Sequence, residues 1–398
     1  MNKLFAIFQR DKSVPEPIPA GVYHFQSPAN DPANYRLHLR VEPNGAGILV
    51  LNASTVLHLN ATAVEYAYHL INRTPPEDTA KKVSSRYRVK YNLALSDFNA
   101  FKNNIDALIA TPDLDPVTML GFDRHIPYTD SISAPYRLDL ALTYNLPKNS
   151  DLNSAPQKRV DRELSTEEWK TILDTAWNAN IPHVIFTGGE PTLRDDLVEL
   201  IQYAESKGQV TGLLTDGRKF SDTSYLNKLL QAGLDHVMII LHPDDAQSWE
   251  SLASFKYWSK TLDEDIFVAA HLTLTQQNAK DAHQLLNRLA NSGISAISLS
   301  TSDTSLNDAL QELRGCAADL DIPLIWDLPV PYSNLNPVSL ELEKQDDPHP
   351  DGAGHAWLYV EPDGDILPGQ GITKVIGNLL RDDWESIWAK AKKGRVGS

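Results

Sequence analysis

From Tyr136 onward the sequence alternates short apolar runs with amphipathic segments, and this repetition constrains the fold more than any other feature. Seven runs are predicted to be strands: Arg137–Leu142, His183–Thr187, Val210–Leu214, His236–Leu241, Ile266–Leu274, Ile294–Ser300 and Pro323–Asp327. Five segments between them are predicted to be helices: Ser165–Ala179, Asp195–Gly208, Ser224–Ala232, Ala279–Ser292 and Ser305–Ala318. Repeating β/α units of this size predict a parallel sheet, either open and doubly wound or closed into a partial or full barrel.

The residues before this repetition have a different pattern. Residues 20–110 contain three strand-like runs (Tyr35–Val41, Gly47–Leu51, Thr55–Leu59) and three helical segments (Asn60–Leu70, Pro75–Tyr87, Ser96–Ile109). This order predicts a small α+β winged-helix domain. Residues 111–135 are predicted to be a linker, 136–330 the β/α domain, and 331–398 a C-terminal extension with a hairpin and a final helix.

Composition narrows the class of protein. The chain has 398 residues, a formal net charge of −16 and a pI of about 5.1. Such acidity disfavours a nucleic-acid partner, because phosphate binding requires a positive surface. No apolar stretch is long enough to predict a membrane span or a signal peptide. Cys316 is the single cysteine, so no intrachain disulfide can form and we predict a cytoplasmic protein.

The sharpest local motif is Thr187-Gly188-Gly189-Glu190-Pro191, directly after an apolar strand and before a helix. Two glycines allow a close approach of the backbone, and a carboxylate beside them can accept hydrogen bonds from an ammonium group. The same letters also fit a tight turn between strand and helix with a solvated glutamate. The motif by itself does not choose between a binding site and a turn.

Together with its surroundings, the motif resembles the radical SAM superfamily. The matching segments are Leu138–Tyr144, Gly188–Pro191, Leu214–Gly217, His236–Leu241 and Leu358–Trp388. The resemblance implies a partial (β/α)6 barrel of the TIM type that binds S-adenosylmethionine. In that family the Gly-Gly-Glu segment binds the amino group of this ligand, so the candidate cofactor-binding residues are Gly188, Gly189, Glu190, Pro191, Thr215 and Asp216. Asp216 stands where the family has asparagine.

The decisive departure from the family follows the first strand of the barrel. The family places Cys-x3-Cys-x2-Cys there to hold a [4Fe–4S] cluster, and the three positions fall on Leu146, Ser150 and Asn153. None of these side chains is a thiolate, which such clusters require. Cys316 could supply one ligand per chain at most. We therefore expect no [4Fe–4S] cluster, no metal site and no catalytic residue for radical chemistry, which makes this chain a degenerate member of the family.

Two further resemblances concern the ends of the chain. Residues 20–110 are similar to the PqqD-like domain, or RiPP recognition element, through Leu59–Ala63, Ser84–Val89 and Asp97–Phe101. In that family the domain binds a leader peptide as an added strand, so a peptide or protein partner is expected here. A domain that serves only internal packing remains the alternative. The tail, with Glu361–Pro368 and Trp384–Trp388, resembles a SPASM or twitch extension but lacks its cysteines.

Two polar groups complete the list of candidates. Asp346, Asp347, His349, Asp351 and His355 crowd one loop, but its prolines and glycine favour a solvated turn over a metal site. His242, Asp244 and Asp245 follow a strand end, with no spacing that selects a metal or a hydrolytic triad.

Three hypotheses for the function follow. The first is a catalytically degenerate accessory protein that binds a peptide or protein partner, with S-adenosylmethionine as a candidate ligand. The second is an enzyme of another class that uses a small molecule without radical chemistry. The third is a radical SAM enzyme of peptide or cofactor maturation whose cluster has non-standard ligands.

Overall fold

The computed structural model describes residues 18–28, 31, 33, 35–52, 55–111, 132–148, 150, 154–262, 266–301, 303–325 and 352–395. The chain divides into two compact units, Met1–Ile126 and Pro127–Ser398. Each unit has its own sheet, and they are described separately.

The N-terminal unit is a four-stranded antiparallel sheet followed by three helices. Its strands are β1 (Gly21–Gln26), β2 (Arg36–Val41), β3 (Gly47–Leu51) and β4 (Thr55–Leu59), paired in that order. Its helices are α1 (Ala61–Ile71), α2 (Pro76–Tyr87) and α3 (Tyr91–Ala110). Alternate residues of β2 and β3 enter one core with the apolar stripes of the helices, as the period of two residues in a strand requires.

Most of this unit agrees with the sequence pattern, and the exceptions have physical reasons. Strands β2–β4 and the three helices are confirmed, including Asn60 as the N-cap that accepts a hydrogen bond from the Ala63 N–H. Strand β1 was not predicted, because it is a half-buried edge strand directly after a proline-rich segment and its alternation is weak. Helix α3 begins five residues earlier than predicted, since Tyr91–Leu95 continue the helix without a side-chain cap at its start.

The second unit is built on six parallel strands that lie side by side in chain order. These strands are β5 (Arg137–Thr143), β6 (His183–Gly188), β7 (Val210–Thr215), β8 (His236–Ile240), β9 (Phe267–Leu274) and β10 (Ala296–Thr301). Within the described residues β10 ends the sheet on one side, and β5 pairs with a C-terminal strand rather than with β10. The architecture is therefore a partial (β/α)6 barrel, as expected from the resemblance.

Helices alternate with these strands. They are α4 (Thr166–Asn178), α5 (Leu197–Lys207), α6 (Thr223–Gln231), α7 (Ala246–Leu262), α8 (Ala282–Ala290) and α9 (Asn307–Asp319). Ser165 and Glu168 form the predicted capping box at the start of α4. Helix α7 was missed, because serines at 248, 251 and 254 interrupt its apolar stripe. The strand predicted over Pro323–Asp327 is a single bridge between Leu324 and Ile297, with residues 326 and 327 outside the described part.

The C-terminal extension adds to the same sheet. Strand β11 (Trp357–Val360) pairs in parallel with β5, forms the predicted hairpin with β12 (Asp365–Leu367), and is followed by β13 (Gly377–Asn378) and α10 (Trp384–Arg395). None of the helices among the described residues has the length and apolarity needed to span a membrane.

Candidate functional site

The structure brings the predicted cofactor-binding residues together at the carboxyl ends of β6 and β7. Gly188 ends β6, Glu190 begins the 3₁₀ turn Pro191–Leu193, and Thr215 ends β7. Neighbouring parallel strands place their carboxyl ends at one edge of the sheet, which is where barrels of this type carry their sites. Two separate sequence segments, 188–191 and 215–216, therefore form one cluster.

Glu190 is the centre of this cluster. Its side chain is buried, with 2% exposure. Oε1 accepts hydrogen bonds from the Thr192 N–H (2.9 Å), the Thr192 hydroxyl (2.6 Å) and the Thr215 hydroxyl (2.7 Å), and Oε2 accepts one from the Asp216 N–H (2.8 Å). The carboxylate thus ties the turn after β6 to the end of β7. The solvated glutamate of the simple-turn interpretation is not what the structure shows.

Burial also changes the acidity of this group. Burial, and after it the nearby Asp216 carboxylate, raises the pKa of Glu190 to about 7, although the hydrogen bonds from the Asp216 N–H and from the Thr192 and Thr215 hydroxyls act to lower it. A carboxyl group with a pKa of about 7 is present in both its charged and its neutral form at pH 7. Acidic side chains with shifted pKa values are frequent at functional sites, although structural networks of polar groups also shift pKa values.

The two glycines have a packing role that can be read directly from the backbone. A Cβ atom on Gly188, whose φ is +132°, would lie 2.1 Å from the Thr143 carbonyl oxygen, and one on Gly189 would lie 2.2 Å from the Asn145 carbonyl oxygen. The Gly189 N–H donates to Thr143 O at 2.7 Å and the Glu190 N–H donates to Asn145 O at 2.9 Å. The glycines therefore allow the ends of β5 and β6 to approach each other closely.

Arg218 is a member of the site that sequence reasoning missed. Its guanidinium lies 2.9 Å from the Asp216 carboxylate and 2.8 Å from that of Asp245. The negative charge that aspartate introduces at position 216 is thereby paired within the chain. Burial lowers the pKa of the neighbouring His242, and the positive charge of Arg218 lowers it further. An arginine two residues after Asp216 was the available signal, but a spacing of two does not itself predict an ion pair.

Directly after β5, the described side chains near the family's cluster positions pack against the C-terminal extension. Leu146 is partly buried against Tyr144, Tyr359 and Leu367. The Tyr144 hydroxyl donates to Glu361 Oε1 at 2.9 Å, and Arg159 Nε donates to the same oxygen at 2.5 Å.

The residues present do not fit a [4Fe–4S] cluster bound in the family's manner. The three positions offer an aliphatic side chain and a hydroxyl at Leu146 and Ser150, while Asn153 lies outside the described residues. Cys316, the only thiol of the chain, is in α9. Among the described residues, no group of three or more His, Cys, Asp or Glu side chains is arranged to hold a metal ion. Iron–sulfur clusters require soft thiolate ligands.

Of the five polar candidates between 346 and 355, only His355 lies among the described residues. Asp346, Asp347, His349 and Asp351 lie outside the described residues. His355 stacks on the Trp388 ring, with ring centroids 6.4 Å apart.

Comparison with known proteins indicates which family this chain resembles. The Radical SAM superfamily model matches residues 146–246. The chain is 34% identical over 127 residues to the PqqA peptide cyclase of Rhizobium meliloti (strain 1021), a match that covers 31% of this chain and 34% of that protein. It is 35% identical over 128 residues to the PqqA peptide cyclase of Rhodopseudomonas palustris (strain ATCC BAA-98 / CGA009), covering 32% and 34%. The match therefore spans about a third of the length of these curated relatives.

Solved structures resemble a larger part of the chain. Streptococcus suis SuiB bound to the precursor peptide SuiA gives a TM-score of 0.56 at 13% identity, over 92% of this chain and 88% of that one. SuiB bound to S-adenosylmethionine gives 0.55 at 14% identity, over 92% and 88%. At this identity the likeness shows the fold. The family model and the curated relatives support a relationship of this chain to the radical SAM superfamily.

Proposed function

We propose that this protein takes part in the maturation of a peptide, and that its N-terminal domain binds that peptide. The observation that carries the proposal is the sequence similarity to PqqA peptide cyclases, which act on a peptide by name. The structural neighbour SuiB, which has been solved with a precursor peptide, supports the same conclusion. The order of strands and helices in residues 20–110 agrees with a PqqD-like recognition domain, and we propose that role for it.

The part that the second unit plays has two candidates. We infer from the donor set that it acts without a [4Fe–4S] cluster, as an accessory protein, since Leu146 is packed among apolar side chains where a thiolate would be needed. The relatives favour the other candidate, an enzyme of peptide or cofactor maturation, because the curated matches are named as cyclases. A cluster in such an enzyme would need ligands other than those at 146, 150 and 153.

S-adenosylmethionine is the small molecule that we propose for the site. Oε1 of Glu190 already accepts three hydrogen bonds, whereas Oε2 accepts one and has a lone pair left for a donor. Gly188–Pro191 with Thr215 and Asp216 would hold the ligand's amino group there, next to a carboxyl that can carry either charge state. When bound, the ligand contributes its sulfonium centre.

The first experiment is calorimetric titration of S-adenosylmethionine into the protein as purified. Glu190→Gln is the matched variant, since it keeps the shape of the side chain. Binding that this change weakens supports the site, and no binding at millimolar ligand contradicts it. Anaerobic reconstitution with iron and sulfide then tests the enzyme candidate, because a stoichiometric cluster would establish it and failure to form one would contradict it.

Peptide binding needs its own test with the full-length protein. Synthetic peptides encoded by short reading frames beside the gene are titrated and monitored by fluorescence anisotropy. Saturable binding of one such peptide supports a function in peptide maturation. Failure of every such peptide to bind contradicts it.

A further inference from the structure

A cavity of about 280 Å³ lies within the N-terminal unit, between β1, β2, the turn after α1, and α3. Its wall is mainly apolar and its rim is charged, with Arg73, Lys102 and Asp106 at the rim. The apolar wall includes Phe25, Tyr35, Leu37, Leu70, Ile105 and Ile109. A cavity of about 150 Å³ already accommodates a benzene ring. This space therefore suffices for one large side chain together with part of its backbone.

Arg73 has an unusual backbone conformation at the edge of this cavity. The Thr74 N–H donates to His69 O (2.9 Å) and the Arg73 N–H donates to Leu70 O (3.0 Å), which is the Schellman pattern that ends a helix. In this pattern the left-handed position belongs most often to glycine, yet Arg73 occupies it with φ +51°. A side chain costs free energy there because its Cβ approaches the following carbonyl oxygen. Strained positions of this kind concentrate at binding sites.

The guanidinium of Arg73 is placed where a ligand could reach it. Its central carbon lies 4.6 Å from the centroid of the Phe25 ring, so the cation rests on an aromatic wall of the cavity. No carboxylate of the described residues forms an ion pair with it, whereas the neighbouring Lys102 pairs with Asp106 at 2.5 Å. In a chain with a net charge of −16, Arg73 is an exposed cation that has no carboxylate partner within the described part of the chain.

The sheet beside the cavity is already paired by the chain itself. Strand β1 pairs with β2 over six residues, and β3 pairs with the opposite side of β2. No peptide can be added to β2 as a strand. At β2 the chain therefore offers a peptide the cavity rather than a free strand edge.

We propose that the cavity binds a large apolar side chain of a peptide and that Arg73 pairs with a carboxylate next to that side chain in the peptide. The inference rests on the proposed function and specifies which peptides the N-terminal domain selects: those with an acidic residue adjacent to a phenylalanine or leucine. Apolar burial supplies the affinity, and the cation supplies the preference for an acidic neighbour.

The test uses two small probes, acetyl-Glu-Phe-amide and acetyl-Gln-Phe-amide, with the full-length protein. Methyl NMR signals of Leu70, Ile105 and Ile109 report on the cavity. Both probes should shift these signals, and the acidic probe should bind about two- to fivefold more tightly, as expected for an exposed ion pair. Absence of shifts at these methyl groups with millimolar probe, or equal affinity of the two probes, would overturn the proposal.

Variants at Arg73 make the test specific. Arg73→Gln should lower the affinity for the acidic probe to that for the neutral one. Arg73→Gly should do the same while raising the midpoint of thermal unfolding, because glycine relieves the left-handed strain. Arg88 is the matched control: it is also exposed and left-handed, with φ +55°, but lies outside the cavity. Arg88→Gly should raise the midpoint without any effect on probe binding. A retained acidic preference in both Arg73 variants contradicts the role of this residue.

A filled cavity separates this inference from the proposed function. Ile109→Trp should abolish binding of both probes in a protein whose other methyl signals are unchanged. If a precursor peptide binds the wild type and this variant equally, the proposed function stands and the cavity is not its site. If the probes bind the cavity but no precursor peptide binds the protein, the cavity stands and the proposed function fails.

Discussion

Glu190 and Arg73 are both charged residues at turns that follow a regular element, and the structure uses them in opposite ways. Glu190 is buried and accepts four hydrogen bonds from its own chain. Arg73 is exposed, left-handed and without a described carboxylate partner. Glu190 is the more prominent residue in the sequence, yet most of the hydrogen-bonding capacity of its carboxylate is used within the chain. Arg73, which the sequence does not single out, has an exposed guanidinium that can pair with a ligand.

The largest effect on the free energy of unfolding is expected for a substitution at Gly188. Gly188→Ala would place a Cβ 2.1 Å from the Thr143 carbonyl oxygen at a φ of +132°. We expect a loss of about 4 kcal/mol or more in the free energy of unfolding, because a backbone clash cannot be relieved by a side-chain rotation. Urea denaturation followed by circular dichroism measures it.

Gly315 provides the control within the same unit. It lies in α9 and has no atom within 4 Å of an added Cβ. Gly315→Ala should stabilise the protein by about 0.5–1 kcal/mol, since alanine loses less backbone entropy in a helix. A Gly188→Ala variant as stable as the wild type would show that β5 and β6 need no close approach, and the packing role of the motif would be wrong.

The next effect concerns the Glu190 carboxylate itself. Glu190→Ala would leave the Thr192 and Asp216 N–H groups and two hydroxyls without their acceptor in a buried site. The expected loss is about 3 kcal/mol, since each buried unsatisfied donor costs about 1–3 kcal/mol and the hydroxyls can find other partners. Thermal and urea unfolding measure the loss.

Glu167→Ala is the control for this change, because the Glu167 side chain is 80% exposed and its loss should cost less than about 0.5 kcal/mol. Equal stability of the two variants would place Glu190 outside the structural framework and favour a pure ligand role. The result also matters for ligand assays, because a destabilised Glu190→Ala protein would lose binding for a reason unrelated to contact with the ligand.

How far the sequence predicts this molecule depends on whether a feature is local. The capping box at Ser165 and the N-cap at Asn60 are local in the chain, and both were predictable. The parallel sheet followed from the alternation of strands and helices. The contact between Glu190 and Asp216 joins segments 26 residues apart, and only the resemblance to a known family brought these segments together in advance.

Features that depend on backbone conformation or on distant partners could not be predicted. The left-handed conformation of Arg73 has no signature in its letter, since glycine or asparagine would be expected there. The pairing of Tyr144 and Arg159 with Glu361 joins positions more than 200 residues apart. The sequence showed which ligands the loop after β5 lacks, but not that Leu146 packs against Tyr359 and Leu367.

A third prediction uses the acidity of Glu190. Its pKa in the folded protein is about 7, above its ordinary value of 4.5, so the folded state binds the proton more tightly than the unfolded chain. This contribution to stability is fully present below about pH 4.5 and is lost as the pH rises through about 7. The free energy of unfolding of the wild type should therefore fall relative to that of Glu190→Gln over this window, by up to about 1.4 kcal/mol per pH unit.

Urea denaturation of both proteins at several pH values between 4.5 and 7.5 tests this expectation. Glutamine is neutral at every pH, so the difference between the two proteins isolates the proton on Glu190. A difference that stays constant with pH would mean that the carboxylate is equally acidic in both states. The hydrogen bonds would then offset burial, and Glu190 would be charged at pH 7 and better suited to attract an ammonium ligand.

The smallest effect sharpens the comparison at the loop after β5. Tyr144→Phe removes the hydroxyl that donates to Glu361 while the ring keeps its place against Leu146 and Tyr359. The expected loss is about 1 kcal/mol, or somewhat more because the acceptor is charged and buried. Tyr203→Phe removes a similar bond to Asp174 near the surface and should cost less than about 0.5 kcal/mol. If both changes cost the same, the Tyr144–Glu361 bond is solvent-accessible in solution, and the loop is open enough for ligands from elsewhere to reach the place where the family holds its cluster. If Tyr144→Phe is the more costly, the end of β5 is closed by the chain's own contacts just as Glu190 is, and the N-terminal cavity is the better place to look for a ligand.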